Sequence, residues 1–68
     1  MRKLRKIRKG RGYSLVQASE ILGIDASHLS RIERGLQRPS PDVAELLSKL
    51  FGVSEIQLLY PERFQNKD

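Results

Sequence analysis

The chain has 68 residues, no cysteine and a single histidine, which allows one domain and excludes a disulfide framework, a thiolate metal site and a catalytic domain with its own substrate cleft. Apolar residues make up 38% of it, too many for a disordered chain and enough for a small core. Lys and Arg number 13 against 8 Asp and Glu, a net charge of +5, and no stretch approaches the roughly 18 apolar residues of a membrane span.

The charge is unevenly spread. Residues 1–11 hold seven basic side chains (Arg2, Lys3, Arg5, Lys6, Arg8, Lys9, Arg11) and no acid. Residues 1–38 carry ten basic and three acidic side chains, for +7, whereas residues 39–68 carry three and five, for −2. Such a split points to one surface that meets a polyanion, with nucleic acid and anionic membrane as the candidates. No apolar segment follows the basic start, so it does not read as a signal peptide, and a cytoplasmic location is expected.

Leu4, Ile7, Arg8 and Arg11 recur at spacings of three and four. This predicts a helix over residues 2–11 with a short apolar stripe inward and a strongly basic back outward. Gly12 fits the left-handed position just past its end. Ser14 and Gln17 make a Ser-x-x-Gln capping box for a second helix from about Leu15 to Leu22, with Tyr13 at the staple position over Ala18. Gly23 ends that helix, and Ile24 plugs the turn with an apolar side chain. Asp25 is a favourable N-cap for a third helix, Ala26 to Arg34, stopped by Gly35. On it Leu29 and Ile32 face inward with Glu33 beside them, and Ala26, Ser27, His28, Ser30, Arg31 and Arg34 face outward. After a loop over Gly35-Leu36-Gln37-Arg38-Pro39, Ser40-Pro41 reads as an N-cap followed by Pro at the first helical position. The fourth helix, Pro41 to Phe51, puts Val43, Leu46, Leu47 and Leu50 at core spacing and stops at Gly52. Ser54 caps a short fifth helix, Glu55 to Tyr60, which Pro61 prevents from continuing. No stretch alternates with period two, so the expected class is all-α with no sheet.

Two short helices joined by a tight glycine turn form a helix-turn-helix. Close crossing needs small residues between the helices, which Ala18 and Ser19 supply, and a sharp turn, which Gly23 supplies. Ser27 and His28 lie early on the second of the two helices and Arg31 one turn later. The N-terminal residues of such a helix meet base edges in the major groove of DNA.

The run GYSLVQASEILGIDASHLSRIERGLQRPS resembles the lambda-repressor-like, Cro-type (XRE) helix-turn-helix family, and is similar in particular to its SinR-like and cupin-coupled members. The features that carry the likeness are Ser14, Gly23, Ile32-Glu33-Arg34-Gly35 and Pro39. The resemblance implies a compact five-helix domain over residues 4–59, with the helix-turn-helix at about 15–34 and a C-terminal tail at 60–68. It implies that the domain docks as a homodimer on double-stranded DNA and that Arg8 pairs with Glu33. A carboxylate on the inward side of the third helix needs such a partner. Carried over residue by residue, it also implies DNA contacts at Ser14, Ala26, Ser27, His28, Arg31 and Arg38, and we add Ser30 and Arg34 from the outward face. Arg31 suits a guanine, Ala26 a thymine methyl, and Arg34 and Arg38 suit phosphates, which position a protein without reading sequence. The chain departs from the family at Leu15, where many members carry Gln, and at Ala18-Ser19, where many carry Leu-Ala. The small Ala18 leaves a gap for Leu15 or Ile21 to fill.

The expected function is therefore sequence-specific DNA binding by a transcriptional regulator, a repressor, with no catalytic residue, metal or cofactor. His28 has no evident carboxylate or nucleophile partner. Two other readings compete. An antitoxin would bind DNA and a toxin, and a protein-interaction module would antagonise a regulator without touching DNA. The apolar residues Ile56, Leu58, Leu59, Tyr60 and Phe64 suit a dimer interface, a protein partner, a further C-terminal domain, or simple closure of the core. A membrane-binding N-terminus would leave the turn chemistry downstream unexplained, so no membrane partner is expected.

Overall fold

A computed structural model describes residues 2–60. The tail from residue 61 onward, with Phe64, lies outside the described residues, as does the side chain of Arg2. Five helices follow one another: α1 (Arg2–Gly10), α2 (Leu15–Leu22), α3 (Ala26–Glu33), α4 (Pro41–Phe51) and α5 (Glu55–Leu59). No strand is present among the described residues. The class is all-α, as the periodicity predicts.

Serine hydroxyls start three of the helices. Ser14, Ser40 and Ser54 accept hydrogen bonds from the backbone N–H groups of Gln17, Val43 and Gln57 at 3.0, 3.3 and 3.3 Å. At α2 the box is reciprocal, since the Ser14 N–H donates to Gln17 Oε1 at 2.9 Å, so two of the four orphan donors of that terminus are satisfied. Asp25 departs from expectation. Its backbone adopts the extended N-cap conformation, but its side chain makes no capping bond. Its carboxylate then favours α3 only as a charge near the positive end of the helix dipole.

The core gathers Leu4 from α1, Ala18 and Leu22 from α2, Leu29 and Ile32 from α3, Val43, Ala44, Leu47 and Phe51 from α4, and Val53 and Leu58 beyond it. Ala18 and Ser19 are both buried, which lets α2 and α3 pack closely. The Ser19 hydroxyl donates to the Val16 carbonyl at 2.8 Å, so it is satisfied within its own helix. The space beside Ala18 is not filled by Ile21, which stays 52% exposed; Leu15 packs half-buried against the core instead. Tyr13, at the staple position, packs half-buried against the core cluster that includes Ala18. Its ring also meets Phe51 edge-on at 5.8 Å and 80°, a preferred geometry for two aromatic quadrupoles.

Other differences lie at helix ends. The first helix stops at Gly10, and Arg11 lies beyond it. The Arg11 guanidinium reaches α4, donating to the carbonyls of Leu50 at 3.0 Å and Phe51 at 3.5 Å, which are among the last four carbonyls a helix leaves unbonded. Arg34 and Tyr60 occupy C-cap positions rather than the last helical turns of α3 and α5. Leu46 is exposed on α4 rather than buried. On the same helix Lys49 Nζ lies 3.0 Å from Glu45 Oε2. That hydrogen bond, and then the charge of Glu45, raise the Lys49 pKa.

Arg8 and Glu33, expected as a pair, meet in the interior. Arg8 Nε donates to Glu33 Oε2 at 2.6 Å and Nη2 to Oε1 at 3.2 Å, a bidentate fork. Nη1 donates to the Tyr13 carbonyl at 2.8 Å. Both side chains are nearly excluded from solvent, at 7% and 5% exposure. Removing one partner of such a pair leaves an uncompensated buried charge and costs about 3–5 kcal/mol. A domain of this size has roughly 3–10 kcal/mol in total. Glu33→Ala should therefore leave the protein largely unfolded at 25 °C by circular dichroism. The double variant Arg8→Met/Glu33→Leu should recover most of the helical signal, because it removes both charges and keeps the volume. If single and double variants lose stability equally, the pair's charge is not what the fold depends on.

Candidate nucleic-acid interface

Gly23 sets the angle between α2 and α3. Its φ is 74°, and the Ile24 N–H donates to the Ser19 carbonyl at 3.1 Å while the Gly23 N–H donates to Glu20 at 3.3 Å. These are the two bonds of a Schellman closure, with glycine at its left-handed position. The chain turns sharply, Ile24 folds back half-buried against the core, and α3 begins two residues later at Ala26.

With Leu29, Ile32 and Glu33 buried, α3 turns a polar face outward. Ser27, Arg31 and Arg34 are exposed, whereas Ala26, His28 and Ser30 are half-buried. The helix's one acid, Glu33, is already neutralised by Arg8, so its outward face carries cations and hydroxyls without a carboxylate. Ser14 is exposed at the start of α2. Its oxygen is used in the capping bond, which leaves its hydroxyl proton available to donate. Arg38 is exposed in the loop before α4. Arg34 leans back on its own helix, with Nε 3.4 Å from the Ser30 carbonyl, at the long end of the hydrogen-bond range.

Composition and spacing missed Gln37. The loop residue Leu36 donates its N–H to the Arg31 carbonyl at 2.9 Å, across the left-handed Gly35 (φ 76°). This folds the loop back along the last turn of α3 and brings Gln37 beside two of the expected site residues. Arg31 Nε donates to Gln37 Oε1 at 3.0 Å, and Gln37 Nε2 lies 3.1 Å from His28 Nε2. The sequence signal available for it is slight: a long amide side chain two residues after the left-handed glycine that follows α3. Among the described residues no cluster of His, Cys, Asp or Glu could hold a metal ion.

A family model described as helix-turn-helix matches residues 4–58; the chain belongs to that family. It is 41% identical over 58 residues to the HTH-type transcriptional regulator SinR of Bacillus subtilis (strain 168) and equally to that of Bacillus licheniformis, an overlap of 84% of this chain and 52% of each relative. It is 34% identical over 62 residues to the uncharacterized HTH-type transcriptional regulator YazB of Bacillus subtilis (strain 168), covering 91% of this chain and 90% of that protein. A solved structure titled SinR protein/SinI protein complex superposes with a TM-score of 0.71 at 38% identity, over 98% of this chain and 65% of that one. The chain thus spans about half the length of the SinR proteins it matches.

The turn geometry can be tested apart from any ligand. A Cβ at Gly23 would touch nothing within 4 Å, so the cost of Gly23→Ala is conformational, about 1–2 kcal/mol for a left-handed L-residue. That corresponds to a Tm lower by roughly 4–16 °C in a domain of this size. Gly10 also faces open space and is helical, so Gly10→Ala should leave the Tm unchanged or raise it, since glycine costs a helix about 0.5–1 kcal/mol relative to alanine. Equal thermal midpoints for the two variants would contradict the assigned role of Gly23.

Proposed function

We propose that this chain is a sequence-specific DNA-binding transcriptional regulator, a repressor acting in the cytoplasm, which places α3 in the major groove as one half of a homodimer. The observation that carries the reading is the outward face of α3. It is hydroxylic and cationic, its one acid is buried against Arg8, and it follows a glycine turn of the kind that presents a recognition helix. The names of the relatives, all transcriptional regulators, favour the same reading.

Ser27, His28 and Arg31 meet base edges, with Ala26 and Ser30 at the margins of the contact. Ser14, Arg34 and Arg38 hold phosphates. Arg31 fits guanine O6 and N7, a contact worth about 1–3 kcal/mol of discrimination. The domain spans residues 4–59, with 60–68 as a tail. Exposed Leu46 on α4, Ile56 on α5 and Tyr60 at the α5 C-cap support pairing through that end, while Leu58 is buried and closes the core. No helix among the described residues is long and apolar enough to cross a membrane.

Binding to a pool of random duplexes at several salt concentrations, with sequencing of the bound fraction, tests the reading. The expected result is an enriched palindrome whose half-sites lie about one helical turn apart, with affinity falling steeply with salt. Arg31→Ala should relax one position in each half-site. Arg38→Ala should weaken all sequences alike and reduce the salt slope by about 1. Salt-sensitive binding with no enriched motif would leave only generic attraction to a polyanion, and the regulator reading would be abandoned.

A further inference from the structure

The cluster formed by Arg31, Gln37 and His28 has a forced hydrogen-bond polarity. A guanidinium only donates, so the Gln37 atom 3.0 Å from Arg31 Nε must be the carbonyl oxygen. The Gln37 amide is thereby oriented, and the atom it turns to His28 is its NH2 group, which also only donates. His28 Nε2, 3.1 Å away, must then accept. It can do so only in a neutral ring whose proton sits on Nδ1. One loop side chain thus sets the direction of Arg31 and the tautomer of His28 together.

This polarity has a consequence for what Arg31 can grip. With Nε occupied by Gln37, the side-on fork of Nε and Nη2 is closed to a ligand. Nη1 and Nη2 have no partner among the described residues, and the end-on fork remains. We propose that Gln37 is a positioning residue that determines specificity: it holds Arg31 for end-on, bidentate contact with a paired acceptor on a guanine edge, and holds His28 as an Nδ1–H donor beside it. The proposal rests on the DNA-reading function above. It assigns the sequence preference at the Arg31 position to a loop residue that does not itself contact that base.

Two measurements test it, one of them independent of DNA. His28 is the only histidine in the chain, so ring 15N–1H correlation spectra of the free protein in mildly alkaline buffer report on it alone. Nε2 should resonate as an unprotonated nitrogen and Nδ1 as a protonated one. Gln37→Ala should lose that preference, and Gln37→Glu, which can only accept, should turn Nε2 into a donor. Gln37 is exposed, so these substitutions leave the fold intact. A protonated Nε2 in the unsubstituted protein overturns the proposal.

The second measurement repeats the random-duplex selection with Gln37→Ala, Arg31→Ala and the double variant. Gln37→Ala should lower the guanine preference at the Arg31 position about tenfold, within the range such a contact commands, and leave the other positions as they were. The double variant should relax nothing beyond Arg31→Ala alone. If Gln37→Ala relaxes a different base pair, or none, Gln37 is a direct reader or a bystander and the proposal fails while DNA reading stands. If the unsubstituted protein enriches no motif, both fail together, and the two failures are distinguished by that first arm.

Discussion

One buried guanidinium joins α1, α3 and the link between α1 and α2, and the fold cannot leave either charge of its ion pair there alone. Arg8 reaches from α1 to Glu33 at the end of α3 with two hydrogen bonds and to the Tyr13 carbonyl, in the link between α1 and α2, with a third. Two helices and the link that follows the first are thus held by one rigid, planar group. Lysine could not replace it, because an ammonium lacks the fork that satisfies both carboxylate oxygens at once. The pair also has an electrostatic effect outside the core. It takes the only acid of α3 out of solvent and neutralises it, so that the opposite face of the same helix presents no negative charge.

Around that anchor, small residues and glycines set distances and angles. Ala18 and Ser19 let α2 approach α3, and Gly23 turns the chain between them. Gly35 does the same at the far end of α3, and its reversal has a second result, since it lays the following loop along the last helical turn. The side chains that face outward near Arg31 therefore come from both the helix and the loop. A helix with a different C-terminal closure would present the same α3 residues without Gln37 among them.

Much of this was legible in the sequence because it is local. A serine three residues before a glutamine, a serine before a proline, and a glycine at the end of an apolar period each act within one helical turn, and they placed α2 and α4 at the bounds the structure has. The Arg8–Glu33 pair was legible because a carboxylate on an inward face demands a cation and because the family resemblance supplied one. The features missed are those in which local rules leave several outcomes open. Arg11 continued the helical spacing of α1, but its partners are carbonyls 39 and 40 residues away. Tyr13 offered a local staple over Ala18, but its edge-on contact with Phe51, remote in sequence, follows from no local rule. Gln37 carried no periodic or charge signal, and only the path of the loop brings it to Arg31 and His28.

The structure also divides the basic residues by task. Of the seven in the first eleven positions, Arg8 and Arg11 are bound to carboxylate and carbonyl oxygens within the fold, and Arg5, Lys6 and Lys9 are exposed along α1. The exposed ones raise the potential around α1 without specifying a base, and their effect decays over a Debye length, about 8 Å at physiological salt. Selectivity cannot come from them. It has to come from side chains whose donors point in fixed directions, because discrimination between base pairs depends on matching a pattern of donors and acceptors rather than on total charge. An arginine on an exposed helix face loses much rotamer freedom when it binds. The hydrogen bond from Arg31 to Gln37 takes up part of that entropy cost in the free protein, and this separates a positioned arginine from the exposed cations of α1.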